Sequence, residues 1–324
     1  MIEEFEMNDF GIVNVYKPVG MTSFAVVSRI RRIFSVKKAG HCGTLDPFAE
    51  GVLPVCVGKS TRVIRYMNGY DKSYRCVMGF GSQTDTEDTE GSVVLANEPS
   101  EADIARLRET DFAEIREILL RFQGAVEQIP PMYSALKVDG RPLYSYARDG
   151  VMLERKARNI TVHELQIHSV SYTDELRADF SVDCSKGTYI RSICRDVGAA
   201  SGFYGHAQKL QRTACGPFTL ETTHTLEALE ACAAEGDVRE LLLPETVVLS
   251  RLPRLDLTET EAARLRMGQR LPFAEFTARI EAVCKAEESY GKLFVSFLGD
   301  EPIAVLEPSL RDGVPLLGIE RVFA

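Results

Sequence analysis

The chain has few of the features that mark membrane, secreted and metal-binding proteins. No apolar run in its 324 residues approaches the roughly 20 residues that span a bilayer. The N-terminus is acidic over residues 1–6, where a signal peptide would be basic. The eight cysteines include no C-x-x-C pair, and no histidine is spaced to complete a zinc site. The sequence therefore predicts a cytoplasmic protein with reduced thiols and no metal.

Repeats of fixed period and low-complexity segments are also missing, so the chain is an ordinary globular one. Its length suits two domains at roughly 100 to 200 residues each, and its apolar fraction of 45% is enough to form cores. The composition changes beyond Pro253 to short strands punctuated by glycine and proline. We predict a larger domain over 1–250 and a small β-rich domain over 251–324.

The net charge of −9 argues against a nucleic-acid-binding protein only if the charge is evenly spread. It is not. Residues 11–75 contain eleven Lys or Arg and three acidic residues, a net charge of +8. Residues 82–118 contain three Lys or Arg and eleven acidic residues, a net charge of −8. These segments could be two solvated faces, or the first could bind a polyanion.

Hydrophobic periodicity predicts a mixed α+β fold. Strands are predicted at 11–16, 52–57, 73–80, 160–172 and 176–184, the last two as a hairpin, and in the tail at 294–298, 303–306 and 316–322. Helices are predicted from Thr22 or Ser23 to about residue 34, and at 60–67, 100–122 with a break near Thr110, 189–200 and 226–243. The acidic run 81–91 is predicted as a loop, and 128–140 as an ordered surface segment.

The most informative segment runs from Gly40 to Gly51, where one carboxylate lies in a glycine-rich turn. Asp46 is the only acid between Asp9 and Glu50, and it is flanked in sequence by Arg29, Arg31, Arg32, Lys37, Lys38, Lys59, Arg62 and Arg65. Because a following proline favours extended backbone, the Asp46 side chain can be aimed into a cleft. The alternative is an Asx-type turn without chemical function.

Arg191 and two tyrosines could support chemistry at this carboxylate. Arg191 follows a Gly-Thr turn and could bind Asp46 bidentately from the first exposed turn of a helix, or it could be a surface arginine. Tyr74 and Tyr189 could each place a ring against a planar ligand, or they could pack in the core.

Three further residues have a binding interpretation and a simpler one. Lys17 and Lys137 lie close to proline or glycine and could contact phosphates, or they could merely be exposed. His41 lies in the same glycine-rich turn as Asp46 and could serve only to satisfy that turn. The residues alone leave these alternatives open.

Seven motifs in order along residues 11 to about 215 carry a family resemblance. The chain resembles the bacterial TruB-type tRNA pseudouridine-55 synthases through Lys17-Pro18-x-Gly20-x-Thr22-Ser23, Gly40-His41-x-Gly43-Thr44-Leu45-Asp46-Pro47, Gly51-Val52-Leu53-Pro54, Asp71-Lys72-x-Tyr74, Thr84-Asp85-Thr86-x-Asp88, Pro130-Pro131-x-Tyr133-Ser134-Ala135-x-Lys137 and Gly187-Thr188-Tyr189-Ile190-Arg191. Each motif is weak alone, whereas all seven in the same order are highly specific.

The resemblance implies a pseudouridine synthase fold, which is a mixed and largely antiparallel central sheet with peripheral helices, followed by a small PUA-like RNA-binding domain. It implies a monomeric enzyme that converts uridine 55 in the T-loop of tRNA to pseudouridine without cofactor, metal, guide RNA or protein partner. Because the uracil must leave C1′, rotate and rejoin through C5, the nucleotide has to be flipped out of the loop.

The resemblance also implies the roles of single residues. Asp46 would be the catalytic carboxylate and Arg191 its ion-pair partner. The substrate-binding residues would be His41, which wedges into the space left by the flipped base, and Tyr74, Tyr189 and Leu210, which form the wall around uracil. One acid suits an isomerisation because no external water is activated. Attack at C1′, attack at C6 and removal of a C2′ proton all stay open.

The chain departs from the family pattern at Tyr16, Cys42 and Glu50, where the family often has Asp, a variable residue and a small Ser or Thr. Glu50 would weaken RNA binding unless it points away from the phosphates. The alternative function is a non-catalytic tRNA-binding or tRNA-folding protein, although binding alone gives no reason for an acid at Asp46. A guide-RNA-dependent relative is disfavoured because the cleft motifs are complete and no extended basic tail is present.

Overall fold

The computed structural model describes residues 11–236, 238–282, 284, 289, 292–311 and 313–323. The chain divides into two compact units, Met1–Leu243 and Pro244–Ala324. The acidic stretch 1–6, used above to argue against a signal peptide, lies outside the described residues. Within the described part, no helix is both long and apolar enough to cross a bilayer. The assignment of 1–250 and 251–324 as functional domains stays a prediction.

A nine-stranded sheet forms the centre of the first unit in the described residues. The strands of this unit are β1 (Gly11–Lys17), β2 (Ala39–His41), β3 (Glu50–Val57), β4 (Lys72–Phe80), β5 (Ser82–Thr84), β6 (Val93–Ala96), β7 (Gly124–Gln128), β8 (Lys137–Val138), β9 (Arg141–Pro142), β10 (Arg158–Tyr172), β11 (Leu176–Cys184), β12 (Gly205–Cys215) and β13 (Phe218–Thr219). The main order is β1-β3-β12-β4-β11-β10-β7, with β2 on β3 and β13 on β12. Among the described strands of this sheet, only β3 and β12 pair in parallel, which confirms the predicted mixed, largely antiparallel arrangement.

Helices and short 3₁₀ segments surround this sheet. The α-helices are α1 (Ser23–Ile33), α2 (Ile64–Met67), α3 (Glu101–Glu109), α4 (Ala113–Leu120), α5 (Leu143–Arg148), α6 (Ile190–Ser201) and α7 (Leu226–Glu235), and 3₁₀ segments lie at Gly58–Val63, Leu220–Thr222 and Val238–Leu241. Thr22 caps α1, because its hydroxyl accepts a hydrogen bond from the Ala25 N–H at 3.1 Å. This confirms the predicted start of that helix.

One predicted break is confirmed, and three predicted elements differ in detail from the structure. The predicted helix 100–122 is broken as expected, because Asp111 and Phe112 adopt positive φ between α3 and α4. The predicted helix 60–67 is a 3₁₀ segment followed by the short α2. The predicted helix 226–243 already ends at Glu235, before Gly236, and the predicted loop 81–91 contains the short strand β5.

The side chains that will form the site rest on the main hydrophobic core. Strand β11 buries every second residue, Leu176, Ala178, Phe180, Val182 and Cys184, as expected for a strand with one face on a core. The same core contains Leu45, Phe48, Tyr74 and Leu210. The segment around Asp46 is therefore anchored by apolar packing on both sides of the acid.

The second unit is β-rich, as predicted. It contains β14 (Arg254–Asp256), β15 (Leu271–Pro272), β16 (Phe294–Leu298), β17 (Glu301–Arg311) and β18 (Val314–Val322), with α8 (Thr246–Leu249), α9 (Glu259–Arg266), α10 (Thr277–Glu281) and a 3₁₀ segment at Phe273–Glu275. The strand order is β14-β16-β17-β18-β15. A PUA-like, RNA-binding character for this unit stays a prediction.

Candidate active site

Asp46 lies in the segment between β2 and β3, residues 42–49, which we call the Asp46 loop. The Ser23 hydroxyl accepts a hydrogen bond from the Leu45 N–H and donates one to the Leu45 carbonyl, both at 2.9 Å. The Gly20 N–H donates to the Pro47 carbonyl at 2.8 Å. These bonds fix the backbone on either side of Asp46, whose side chain stays 34% exposed. In the described residues that side chain makes no hydrogen bond to a neighbouring backbone group, so the Asx-turn interpretation is wrong.

Arg212 of β12 holds the Asp46 loop from the opposite side. Its guanidinium is fully buried and donates to the carbonyls of Val52 at 2.7 Å, Gly43 at 3.2 Å and Thr44 at 3.4 Å. Strands β3 and β12 approach so closely here that a Cβ on Gly51, whose φ is +107°, would lie 2.3 Å from the Arg212 carbonyl oxygen. The glycine at the end of the loop is therefore required for this packing.

Arg191, in the first turn of α6, meets Asp46 across the cleft. Its Nε lies 2.9 Å from Oδ2 of Asp46, but the N–H is not aligned on that oxygen, so the contact is an ion pair and not a directed hydrogen bond. The guanidinium also lies 3.4 Å from Oδ2 of Asp88 and donates to the Thr86 and Tyr133 carbonyls. Its side chain is only 3% exposed, so the expected exposed first turn is wrong.

The acidic loop, residues 81–91, provides the carboxylate behind Arg191. Oδ1 of Asp88 accepts hydrogen bonds from the Thr86 hydroxyl at 2.6 Å and the Glu90 N–H at 3.0 Å. Burial raises the pKa of Asp88 and of Glu87. Glu87 accepts a hydrogen bond from the Ser192 hydroxyl at 2.6 Å. At these two positions the acidic run is a buried ion-pair network, not a solvated face.

Aromatic and aliphatic side chains complete the walls of the cleft. Its volume is about 270 Å³, and its lining includes Asp46, Arg191, Tyr74, Tyr189 and Leu210. Burial raises the pKa of both tyrosine hydroxyls, so both rings remain neutral at physiological pH. The structure thus brings together five of the residues selected from the sequence.

Tyr189 is positioned through its backbone. The side-chain amide of Gln128, a buried residue of β7, accepts a hydrogen bond from the Tyr189 N–H at 2.9 Å and donates one to the Tyr189 carbonyl at 3.0 Å. Tyr189 is also the residue directly before α6. The two hydrogen bonds between Gln128 and Tyr189 therefore also fix the start of the helix that carries Arg191.

His41, Lys17 and Lys137 lie outside the cleft lining. His41 is half-buried on β2, and burial together with the Arg212 charge lowers its pKa. Lys17 is fully buried, and its Nζ donates to the carbonyls of Pro18 at 2.8 Å and Pro47 at 3.3 Å. The expectation that Lys17 contacts phosphates does not fit this burial. Lys137 is exposed on β8, two residues beyond Ala135 of the cleft wall.

Sequence reasoning gave no role to Asp88, Arg212 or Lys72. Asp88 and Lys72 lie within the seven motifs of the family resemblance, so the sequence did contain a signal that could have identified them. Lys72 lines the cleft, and its Nζ donates to the Tyr70 carbonyl at 2.6 Å. Arg212 lies two residues after Leu210, but no local pattern distinguishes a buried arginine from a strand-surface one. Its role depends on the parallel pairing of β3 with β12.

Glu50, which departs from the family pattern, does not line the cleft. It pairs with Gln211 in the register of β3 and β12, and the Gln211 amide donates to the Tyr16 hydroxyl at 3.2 Å. Burial raises the pKa of Tyr16, and the neighbouring Glu50 carboxylate raises it further. Two departures from the family pattern, Tyr16 and Glu50, are therefore neighbours.

The arrangement suits chemistry on a flat, uncharged ring. In the described residues no three His, Cys, Asp or Glu side chains lie close enough together to hold a metal ion. The cleft offers one partly exposed carboxylate, a buried guanidinium that fixes it, and neutral aromatic and aliphatic walls. A planar heterocycle could stack between the walls while the carboxylate acts on it or on a group attached to it.

Two family models match consecutive parts of the chain. The N-terminal domain of the TruB family of pseudouridylate synthases matches residues 31–190, and the C-terminal domain of tRNA pseudouridylate synthase B matches residues 191–250. A tRNA pseudouridine synthase B of Geobacillus kaustophilus is 40% identical over 83% of this chain and 93% of its own length. One of Burkholderia pseudomallei is 42% identical over 84% of this chain and 86% of its own length.

Solved structures show a similar fold. A chain in the crystal structure of a Cbf5-Nop10-Gar1 complex is 25% identical, with a TM-score of 0.69 over 98% of this chain and 86% of that chain. A chain of an H/ACA RNP bound to a substrate RNA containing 2'-deoxyuridine is also 25% identical, with a TM-score of 0.68 over 98% of this chain and 87% of that chain.

Proposed function

The chain belongs to the TruB family of pseudouridylate synthases, and on this premise we propose that it converts uridine 55 in the T-loop of tRNA to pseudouridine. The observation that carries the proposal is the ion pair of Asp46 and Arg191 in a cleft walled by Tyr74, Tyr189 and Leu210. The tRNA substrate is supported by the names of the relatives, which are tRNA pseudouridine synthases.

The cleft explains why the target nucleotide leaves its stack. A cleft of about 270 Å³ between aromatic walls accommodates a single base but not a paired helix. Tyr74 stacks on the uracil, and Tyr189 and Leu210 close the remaining sides. His41 precedes the Asp46 loop and enters the gap that the flipped base leaves in the RNA. Holding the detached uracil between these walls keeps its C5 close to C1′ while it rotates.

Asp46 is the catalytic carboxylate of this proposal. It is the cleft acid that is exposed enough to meet a ligand, whereas Asp88 lies behind Arg191 with its side chain 4% exposed. Arg191 orients the Asp46 carboxylate through the ion pair and is itself held by two backbone carbonyls. The carboxylate can attack C1′, attack C6 of uracil, or remove the C2′ proton, and all three routes require this orientation.

We propose that the enzyme works in the cytoplasm as a monomer, without guide RNA or protein partner. The greater identity to the tRNA pseudouridine synthases, 40% to 42%, than to the chains from RNP complexes, 25%, supports this choice. The exposed Lys137 near the cleft is proposed to contact the RNA backbone. The second unit is proposed as a further RNA-binding domain.

The test is to map pseudouridine in unmodified tRNA after incubation with the pure protein alone. We expect modification at position 55, and with Asp46→Ala a rate at least about a thousandfold lower while RNA binding is retained. Normal turnover by Asp46→Ala would refute the catalytic assignment. Binding without any modification by the unsubstituted protein would instead support the non-catalytic alternative.

A further inference from the structure

A second cavity adjoins the active-site cleft but shares none of its lining residues. Its volume is about 370 Å³, which exceeds that of the cleft and falls within the usual range for small-molecule sites. Tyr133, whose carbonyl accepts a hydrogen bond from Arg191, lines the cavity. We call it the Arg155 cavity, and its lining also includes Glu87, Val94, Met132, Arg155 and Arg195.

Arg155 gives this cavity a positive charge without a counter-ion. In the described part of the chain its guanidinium makes one hydrogen bond, from Nη1 to the Pro130 carbonyl at 3.0 Å, and its Nε is buried without an acceptor. No carboxylate of the described residues lies within 4.0 Å of it. Arg195, by contrast, is paired with Glu87 and with Asp196. Burial lowers the pKa of Arg155, which shows that its charge is not compensated in this wall.

Apolar side chains form much of the remaining lining. Met132 is buried, whereas Val94 and Met152 are 53% and 73% exposed although both are large and apolar. A ligand in the cavity would cover apolar surface that water otherwise contacts, which favours binding. The cavity therefore combines one free cationic group with an apolar wall, the combination typical of a site for an amphipathic small molecule.

Two acids of the cavity restrict the charge of the ligand. Asp85 and Glu87 both line it, so a dianion such as phosphate would meet two carboxylates of the same sign. A single carboxylate group carries less charge and can bind the Arg155 guanidinium in the bidentate geometry that arginine favours. The charges thus favour a monoanion over a phosphate.

We propose that the Arg155 cavity binds a small monocarboxylate with an apolar or aromatic body. The carboxylate contacts Arg155, and the apolar body lies against Met132, Val94 and Met152. This ligand is separate from the uridine of the proposed function, because the cavity and the cleft have no lining residue in common.

The test compares three probes that share an indole ring and differ in charge: indoleacetate, its neutral amide indoleacetamide, and the cation tryptamine. Their binding to the full chain is measured by isothermal titration calorimetry at neutral pH. We expect indoleacetate to bind with a Kd of about 1 mM or tighter, which is ordinary for a ligand of this size. Its affinity should be at least about tenfold higher than that of either other probe, since only the carboxylate pairs with Arg155.

Two variants locate the bound probe. Arg155→Gln should weaken indoleacetate binding at least about tenfold, and Arg155→Lys, which keeps the charge, should weaken it less. Ala147→Phe places a ring in the cavity and should weaken binding as strongly while Arg155 is intact. Thermal unfolding shows whether each variant is folded. Arg148→Gln is the matched control, because Arg148 is an exposed arginine of α5 that stacks on Tyr144 and does not line the cavity.

Asp46→Asn separates this cavity from the active-site cleft. An indoleacetate bound in the cleft would bind more tightly once the Asp46 charge is removed, whereas one bound in the Arg155 cavity would be unaffected. The inference is overturned by the absence of indoleacetate binding, by equal affinity for tryptamine, by unchanged affinity in folded Arg155→Gln or Ala147→Phe, or by tighter binding to Asp46→Asn. None of these measurements involves pseudouridine formation, so they are independent of the proposed function.

Discussion

The Asp46 loop and the acidic loop face the same arginine, but they use their carboxylates in opposite ways. The Asp46 loop contains one acid and is held through its backbone, by Ser23, Gly20 and Arg212. The acidic loop contains several acids, and Asp85, Glu87 and Asp88 accept hydrogen bonds on their side chains. Asp46 is thereby left partly exposed, whereas Glu87 and Asp88 of the acidic loop are buried.

This difference shows that the environment, and not the residue type, decides what an aspartate does. Asp46 and Asp88 both approach Arg191, at 2.9 Å and 3.4 Å. Asp88 also accepts two hydrogen bonds, and burial raises its pKa. Asp88, whose carboxylate already accepts hydrogen bonds within the protein, is suited to hold Arg191. Asp46, whose carboxylate is free to accept further hydrogen bonds, is suited to contact a substrate.

Among the substitutions that test this difference, replacing Arg191, which contacts both loops, should have the largest effect on catalysis. In Arg191→Lys a single ammonium cannot reach both carboxylates and both backbone carbonyls that the guanidinium contacts. We expect single-turnover pseudouridine formation to fall at least about 100-fold, because a misplaced catalytic group is sufficient for a loss of that size.

Arg195→Lys is the control for the loss of a buried ion pair. Arg195 lies one turn along α6 and pairs with Glu87 of the acidic loop without contacting Asp46. Both variants should lose about 2 kcal/mol in the free energy of unfolding, measured with urea. Only Arg191→Lys should lose most of its turnover. Equal rates in the two variants would contradict the role of Arg191 as the residue that orients Asp46.

Asp88→Asn tests the acidic loop by itself. The asparagine Oδ1 can still accept from Thr86 and Glu90, but its amide group cannot form an ion pair with Arg191. We expect kcat to fall about tenfold, the effect of losing one charged contact of about 1.5 kcal/mol, with KM for the stem-loop nearly unchanged. An increase in KM at constant kcat would instead place Asp88 in RNA binding.

Sequence reasoning identified the residues of the cleft better than the contacts that hold them. The chemistry of the two side chains and the family resemblance predicted that Arg191 pairs with Asp46, and the structure places them 2.9 Å apart. The sequence did not predict that Lys17 is buried or that Arg212 donates hydrogen bonds to the backbone of the Asp46 loop. Both depend on pairing between strands that are far apart in sequence, such as Gly51 beside Arg212. Local patterns report periodicity and turns, but they do not report which carbonyls a folded chain leaves for a buried cation.

The cation beneath the Asp46 loop should make stability depend on alkaline pH. Burial lowers the pKa of Lys17 from 10.5 to about 8, against the nearby charges of Asp46 and Glu90, which raise it. Between these two values the unfolded chain keeps a proton that the folded chain has lost, so the free energy of unfolding should rise with pH. We expect a rise of up to about 3 kcal/mol from pH 8 to 10.5, measured by urea unfolding relative to Lys17→Met.

Lys17→Met removes the titrating group and keeps the length of the side chain. Any pH dependence that the variant retains comes from other groups, and the difference between the two curves belongs to Lys17. If the two curves stay parallel over this range, the pKa of Lys17 is not lowered in the folded chain, which would contradict the expected pH dependence.

Glu50→Gln should have the smallest effect, although Glu50 is the acid nearest to Asp46 in sequence after the loop. Its carboxylate lies outside the cleft lining and beside the Tyr16 hydroxyl, which the Gln211 amide also contacts. Gln has the same shape and can accept a hydrogen bond from Tyr16, so RNA affinity should stay within about threefold, a difference below 1 kcal/mol. An affinity gain of about tenfold at low salt would show that the Glu50 charge faces the RNA, since removing a like charge near phosphates strengthens binding. In that case the Glu50 charge would weaken substrate binding. The position of Glu50 next to Tyr16 indicates instead that this charge is directed away from the substrate.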